Sequence, residues 1–210
     1  MNKINYKYII MAAGAGTRWD NYLGIPKHLI KINGETLLGR TTRLLKENGI
    51  TNFIITTSDS RYAEYGKTAP QTKFDCEVDR FEETLVDGPI CYLYGDVYYT
   101  EDAIKTIIET EPEDVLFFGH EWEIFAIKIK DKELFFNNKS KVKKLYLSKE
   151  IDRCIGWEVY RCMHNLPFTE HIITDRYVKI LDGTDDIDYP YEYEEFKQRW
   201  EKDTNGRNNF

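Results

Sequence analysis

The chain has 210 residues, 41% of them apolar and 31% charged, which is enough for one α/β domain with a proper core and short for two. A formal net charge of −7 argues against nonspecific binding to nucleic acid, which needs positive surface. No apolar run is long enough to span a membrane, and Met1-Asn2-Lys3 leads straight into the first strand without a signal-peptide pattern, so a cytoplasmic location is expected. Four cysteines without a CxxC pair then read as reduced thiols; Cys154, Cys162, His164 and His171 cluster, but their spacing matches no zinc knuckle.

An apolar run from Tyr8 to Ala13 reads as a buried strand that delivers a turn containing Gly14 and Gly16. Glycines there let backbone N–H groups close on an anion, and Arg18 and Lys27 add the positive charges that a polyphosphate needs. Ile30 to Gly34 predicts a short strand and turn, and Glu35 to Asn48 a helix with Leu37, Leu38, Leu44 and Leu45 on one face and Gly49 at its stop. Phe53 to Thr57 completes a parallel βαβ unit. Between residues 58 and 89 the pattern weakens: a helical turn is expected over Ser58 to Tyr65, a break at Pro70 and a short helix over Arg80 to Leu85.

Ile90 to Val97 is a second buried strand, carrying Gly95-Asp96 to its C-terminal end, where open parallel sheets build their sites. Thr100 caps a helix with Glu101 and Asp102 in its first turn. Val115 to Phe118 and Glu123 to Ile129 predict strands. Leu134 to Lys149 carries five lysines; one of them is a candidate contact for a second substrate's phosphate, against the simpler reading of a solvated face. The aromatic stretch 150–176 is expected to form a lid on the acceptor side. Tyr177 to Leu181 predicts a strand, and Pro190 opens a helix after an Asp-rich turn. Residues 1–202 are expected to form one domain and 203–210 a polar tail.

The combination Ala12-Ala13-Gly14-Ala15-Gly16-Thr17-Arg18, then Pro26-Lys27, then Gly95-Asp96, then Asp186-Ile187-Asp188-Tyr189-Pro190 resembles the signatures of the sugar-phosphate nucleotidylyltransferases and their small cytidylyltransferase and MobA-like relatives. The resemblance implies a Rossmann-like three-layer α/β/α fold with a mostly parallel twisted sheet, of the nucleotide-diphospho-sugar transferase type. It assigns nucleotide binding to Ala12 to Thr17 and Gly88, phosphate contacts in catalysis to Arg18 and Lys27, and magnesium to Asp96 and Asp188, with Asp186 as a further ligand. Tyr189 stands where the family has Thr, and the helix that usually precedes the second strong strand is shortened, which leaves the base open.

The implied partners are a nucleoside triphosphate and a phosphorylated small-molecule acceptor, with no nucleic acid and no membrane; self-association as a homodimer is left open. The expected reaction transfers a nucleoside monophosphate, with CTP as the expected donor, toward precursors of surface glycans, lipids or capsules. The rival readings are a sugar 1-phosphate enzyme using UTP, dTTP or GTP and a noncatalytic nucleotide-binding module. A dianionic phosphate monoester needs no general base, so none of His28, His120, His164 and His171 is expected to serve as one.

Overall fold

The computed structural model describes residues 4–14, 16–71 and 75–207, with side chains described as far as Trp200. Strand β1 (Lys7–Met11) leads through the glycine turn to a small hairpin, β2 (Lys31–Ile32) and β3 (Glu35–Thr36). Helix α1 (Leu37–Glu47) starts where the Thr36 hydroxyl accepts from the Gly39 N–H. Strands β4 (Phe53–Thr56), β5 (Lys67–Ala69), β6 (Ile90–Tyr94) and β7 (Val97–Tyr98) follow, then α2 (Glu101–Glu109), β8 (Val115–Gly119) and β9 (Ile124–Ile129). The chain ends with α3 (Lys132–Leu147), α4 (Gly156–Met163), β10 (Tyr177–Lys179), β11 (Asp185–Asp186) and α5 (Pro190–Arg207).

Seven strands form the central sheet in the order β10-β8-β9-β6-β1-β4-β5. Only β9 runs against its neighbours, β6 and β8; the other pairings are parallel. Successive side chains of β1 point to opposite faces and so feed two separate cores. Tyr8 and Ile10 pack with Leu38, Leu44 and Leu45 of α1 and Ile104 and Ile107 of α2. Ile9 and Met11 join Phe135 and Val142 of α3 and Val159 and Tyr160 of α4 on the other side. Helices therefore cover both faces, which is the expected three-layer α/β fold with a mostly parallel sheet.

Lys128 is fully buried in β9, and its ammonium reaches the carbonyls of Ile108 and Thr110, each at 2.9 Å. A cation is favoured there, because the last carbonyls of α2 have no partner within the helix.

Some expectations are corrected. β5 is an added edge strand, and the expected helix over Arg80 to Leu85 is instead two 3-10 turns, Glu77–Arg80 and Glu83–Leu85. The lysine-rich stretch is α3; its Lys139 donates to the Phe81 carbonyl and Lys143 pairs with Asp79. Within the aromatic stretch, Trp157 and Tyr160 of α4 are buried in the core. Helix α5 is assigned as far as Arg207.

Candidate active site

Three segments meet beyond the C-terminal ends of β1 and β6. The first is the glycine turn, in which Gly16 has φ +61° and Gly14 leaves space for the Arg80 guanidinium, whose Nη2 would lie 3.2 Å from a Cβ added at Gly14. The second is Gly95-Asp96. The Gly95 N–H donates to the Met11 carbonyl at 3.0 Å, and a Cβ there would stand 2.7 Å from that same oxygen, so only glycine lets β1 and the Asp96 loop approach so closely. The third is Asp186 to Asp188, carried in by β11, which pairs antiparallel with β7 and sets Asp186 opposite Val97. The Ile187 N–H donates to the Asp96 carbonyl at 3.1 Å and fixes that register.

Lys27 joins the segments. Its ammonium is ion-paired to Asp96 and lies 2.6 Å from Asp188, while Arg18 pairs with the other oxygen of Asp188. Arg18 faces solvent, with 57% of its side chain exposed, but Lys27 keeps only 10%. The loop is held by Trp19, whose indole N–H donates to the Ile25 carbonyl at 2.8 Å and whose ring lies in a small core with Ile30, Tyr98, Ile187 and Tyr193. Tyr189, where the resemblance puts Thr, removes a side-chain cap from α5. Glu192 supplies only the reciprocal half of a capping box, its carboxylate accepting from the N–H groups of Asp188 and Tyr189 at 2.8 and 2.9 Å.

Burial works against charge on Lys27, yet the Asp96 and Asp188 carboxylates outweigh it and hold the ammonium above its usual pKa. Asp96 is largely buried; the nearby Lys27 and His28 overcome that burial and draw its pKa down to about 2. Asp186 is the opposite case. Burial, then the carboxylates of Glu123, Asp96, Asp188 and Asp185, push it up to about 9. Glu123 is raised to about 7, chiefly by burial.

His28 is buried between Tyr62, with which it shares a 2.9 Å hydrogen bond, and the Lys27–Asp96 pair. Burial, helped by Lys27 and Arg80 and opposed by Asp96, lowers its pKa from 6.5 to about 4. The folded state therefore holds it neutral where the unfolded chain begins to bind a proton. Its contribution to stability is complete above pH 6.5 and is lost as the pH falls toward 4, by about 3 kcal/mol in all. His28→Gln should flatten the fall in melting temperature over that window relative to wild type; parallel curves would mean that His28 is protonated in the fold.

Two clefts flank this junction, of about 360 and 340 Å³, and both are lined by Gly14, Gly16, Lys27 and His28. The first also takes in Thr17, Arg18, Asp96, Asp186 and Asp188 and extends to Glu77, Arg80, Arg153 and Trp157. The second takes in Ala12 and Ala13 and extends to Thr57, Ser58 and Gln71 beyond the ends of β4 and β5. The sequence-predicted residues thus come together, with two exceptions. Ala15 lies outside the described residues, and Gly88, a turn residue with φ +79°, lines neither cleft. None of Lys139, Lys141, Lys143, Lys144 and Lys149 lines either cleft; besides Arg18 and Lys27, the cations there are Arg80 and Arg153 in the first and Arg61 in the second, which no motif marked.

Does the junction suit a divalent metal? Among the described residues no three acidic, His or Cys side chains converge on one point. Asp96 and Asp188, however, both reach a single ammonium, so both can reach a single cation, and Asp186 adds a carboxylate for which no hydrogen-bond or ion-pair partner stands among the described residues. An all-oxygen pair of carboxylates left to be completed by phosphate oxygens and water is the donor set that magnesium accepts. The candidate residues therefore fit the ion.

Residues 8–121 match the MobA-like NTP transferase domain. A bifunctional IPC transferase and DIPP synthase of Thermococcus kodakarensis is 42% identical over 114 residues, covering 48% of this chain. That stretch is 26% of the relative, so the chain spans about a quarter of its length. Two solved structures have the same fold over nearly the whole chain. The inositol-1-phosphate CTP transferase from T. maritima gives a TM-score of 0.59 at 14% identity, with 92% of this chain and 95% of that one covered. The CTP:phosphocholine cytidylyltransferase from Streptococcus pneumoniae gives 0.58 at 18%, with 93% and 99% covered. The match extends over more than half of the residues and includes the glycine turn, Lys27 and Gly95-Asp96, so this chain belongs to the MobA-like NTP transferase family of nucleotidyltransferases.

Proposed function

We propose that the chain is a magnesium-dependent cytidylyltransferase that transfers CMP from CTP to a phosphorylated small metabolite and releases pyrophosphate. The observation that carries this reading is the sharing of one buried ammonium, Lys27, by Asp96 and Asp188 at the point where the two clefts meet. In this reading the nucleoside occupies the cleft beside Ala12 and Ala13, the acceptor occupies the cleft that extends to Arg80 and Arg153, and the triphosphate lies over the glycine turn between them. An oxygen of the acceptor's phosphate attacks the α-phosphorus. That phosphate is mostly dianionic near neutral pH, its second pKa being about 6, so no side chain has to remove a proton.

The chain's contribution is then positioning and charge. Amides of the turn and the Arg18 guanidinium hold the triphosphate, Lys27 neutralises charge as it builds on the transferred phosphoryl group, and the buried floor of Asp96 keeps the reacting groups in line. Magnesium held by Asp96 and Asp188, when bound, supplies further neutralisation of the phosphate oxygens.

Cytidine is favoured by the two cytidylyl-transferring neighbours and by Gln71. Its amide N–H donates to the Asp79 carbonyl at 3.0 Å, which fixes the amide's orientation. The buried carbonyl oxygen, on the same cleft, has no partner among the described residues. An acceptor in that place suits the amino group of cytosine. Pyrophosphate release should be measured for CTP, UTP, dTTP, GTP and ATP against phosphorylated sugars, polyols, choline and amino-acid derivatives. CTP should exceed every other triphosphate by about tenfold or more with its best acceptor, the ~1.4 kcal/mol that one hydrogen bond contributes. A preference for UTP, dTTP or GTP with a sugar 1-phosphate would replace the reading, and no release from any pair would leave a nucleotide-binding module.

A further inference from the structure

Cys76 and Cys154 stand apart from the other thiols. Their sulfurs are 2.8 Å apart, closer than non-bonded sulfurs pack and within a small displacement of the ~2.05 Å of a covalent bond, yet both are free. Cys91 lies inside β6 and Cys162 inside α4, both buried. The pair also joins two particular strips of chain. Cys76 caps the turn that carries Glu77 and Arg80, and Cys154 lies between Arg153 and Ile155; all four of these neighbours line the same cleft. The strips are already held together beside the sulfurs. The Val78 N–H donates to the Cys154 carbonyl at 3.2 Å, and the Glu77 carboxylate accepts from the Gly156 N–H at 3.3 Å.

We infer that Cys76 and Cys154 are a site of reversible oxidative modification, closing to a disulfide that ties together two walls of the cleft containing Arg80 and Arg153. The inference stands apart from the proposed reaction. Cys76 is the more exposed of the two and reacts first. Its thiol loses a proton, and the thiolate attacks one sulfur of a small-molecule disulfide such as glutathione disulfide, forming a mixed disulfide and expelling one glutathione thiolate. Cys154 then loses its proton, attacks the Cys76 sulfur and expels the second glutathione. Two protein thiols are oxidised to one disulfide and one glutathione disulfide is reduced to two thiols, so the protein loses two hydrogens and nothing else. Because these two hydrogen bonds already hold the strips in register, the bond forms with little rearrangement. It also closes a long loop, since the two cysteines are 78 positions apart.

The test uses the full chain and glutathione disulfide, and it requires no turnover. The intact mass should fall by two hydrogens with no glutathione attached, free thiols should fall from four to two, and a peptide map should link residue 76 to residue 154. The oxidised protein should melt about 5 °C or more above the reduced form, and dithiothreitol should reverse every change. Cys76→Ser and Cys154→Ser should each show no loss of two hydrogens. A stable glutathione adduct on Cys76, a link through Cys91 or Cys162, or a melting temperature that does not rise would each overturn the assignment. None of those results bears on the proposed transfer reaction, which the pyrophosphate assay reads with the protein reduced.

Discussion

Lys27→Ala should lower pyrophosphate release by about 10²–10³-fold, the usual loss when a preorganised charge donor is removed from a phosphoryl or acyl transfer site. The structure adds a second expectation. Asp96 and Asp188 share that ammonium, with side chains only 13% and 14% exposed, so its removal leaves two largely buried carboxylates facing each other across the vacated position. Breaking a buried pair in this way typically costs about 3 kcal/mol or more. The variant should therefore melt well below wild type in EDTA and regain more of that loss on addition of magnesium than wild type gains, because a divalent cation substitutes for the missing charge. Lys27→Arg should not rescue turnover: a planar guanidinium cannot sit as a point charge between two carboxylates. A near-wild-type rate in Lys27→Ala would remove Lys27 from the chemistry, and a melt insensitive to magnesium would separate Asp96 and Asp188 from any shared metal.

EDTA should abolish release, and Asp96→Asn and Asp188→Asn should each raise the magnesium requirement by about tenfold or more and lower the saturated rate by about 10²-fold. These residues lie on opposite sides of β7 and β11 in the chain, and the antiparallel pairing of those two short strands is what makes them neighbours. Similar behaviour of the two variants would thus report on the register as well as on the metal. Asp186 does not reach the Lys27 ammonium, so Asp186→Asn should disturb the magnesium requirement less than Asp188→Asn. The reverse order, with Asp186→Asn impaired and Asp188→Asn like wild type, would move the second ligand two positions along the chain. The assay is a magnesium titration of initial rate with each variant's melt recorded beside it, so that unfolding is not read as lost metal binding.

The sequence alone determined the elements whose pattern is local. The aliphatic strands at Tyr8, Phe53 and Ile90, the amphipathic helices after Thr36 and Thr100 and the glycine turn are all recorded in spacing and caps, because those features stabilise their own segment before any long-range contact forms. The same local record made the nucleotidyltransferase resemblance legible, since a glycine turn, a Pro-Lys and a Gly-Asp are short motifs.

Tertiary structure decided the rest. The three-residue strand β5 and the two-residue strands β7 and β11 are too short to show a period; they exist because neighbouring strands offer them partners, and β11 is what brings Asp186 and Asp188 to Asp96. Lys27 reads in sequence as one more loop cation, and only packing against His28, Asp96 and Asp188 buries it and gives it two carboxylates to hold. The lysines of α3 show the converse. Five positive charges in one stretch drew attention to that helix, but their ammonium groups stay off the clefts, Lys139 and Lys143 bracing the Phe81–Asp79 segment from behind, while the unremarked Arg80 and Arg153 face inward. Charge count is written in the chain; which side of an element faces a cleft depends on how that element packs, and that is settled only when the sheet and its covering helices come together.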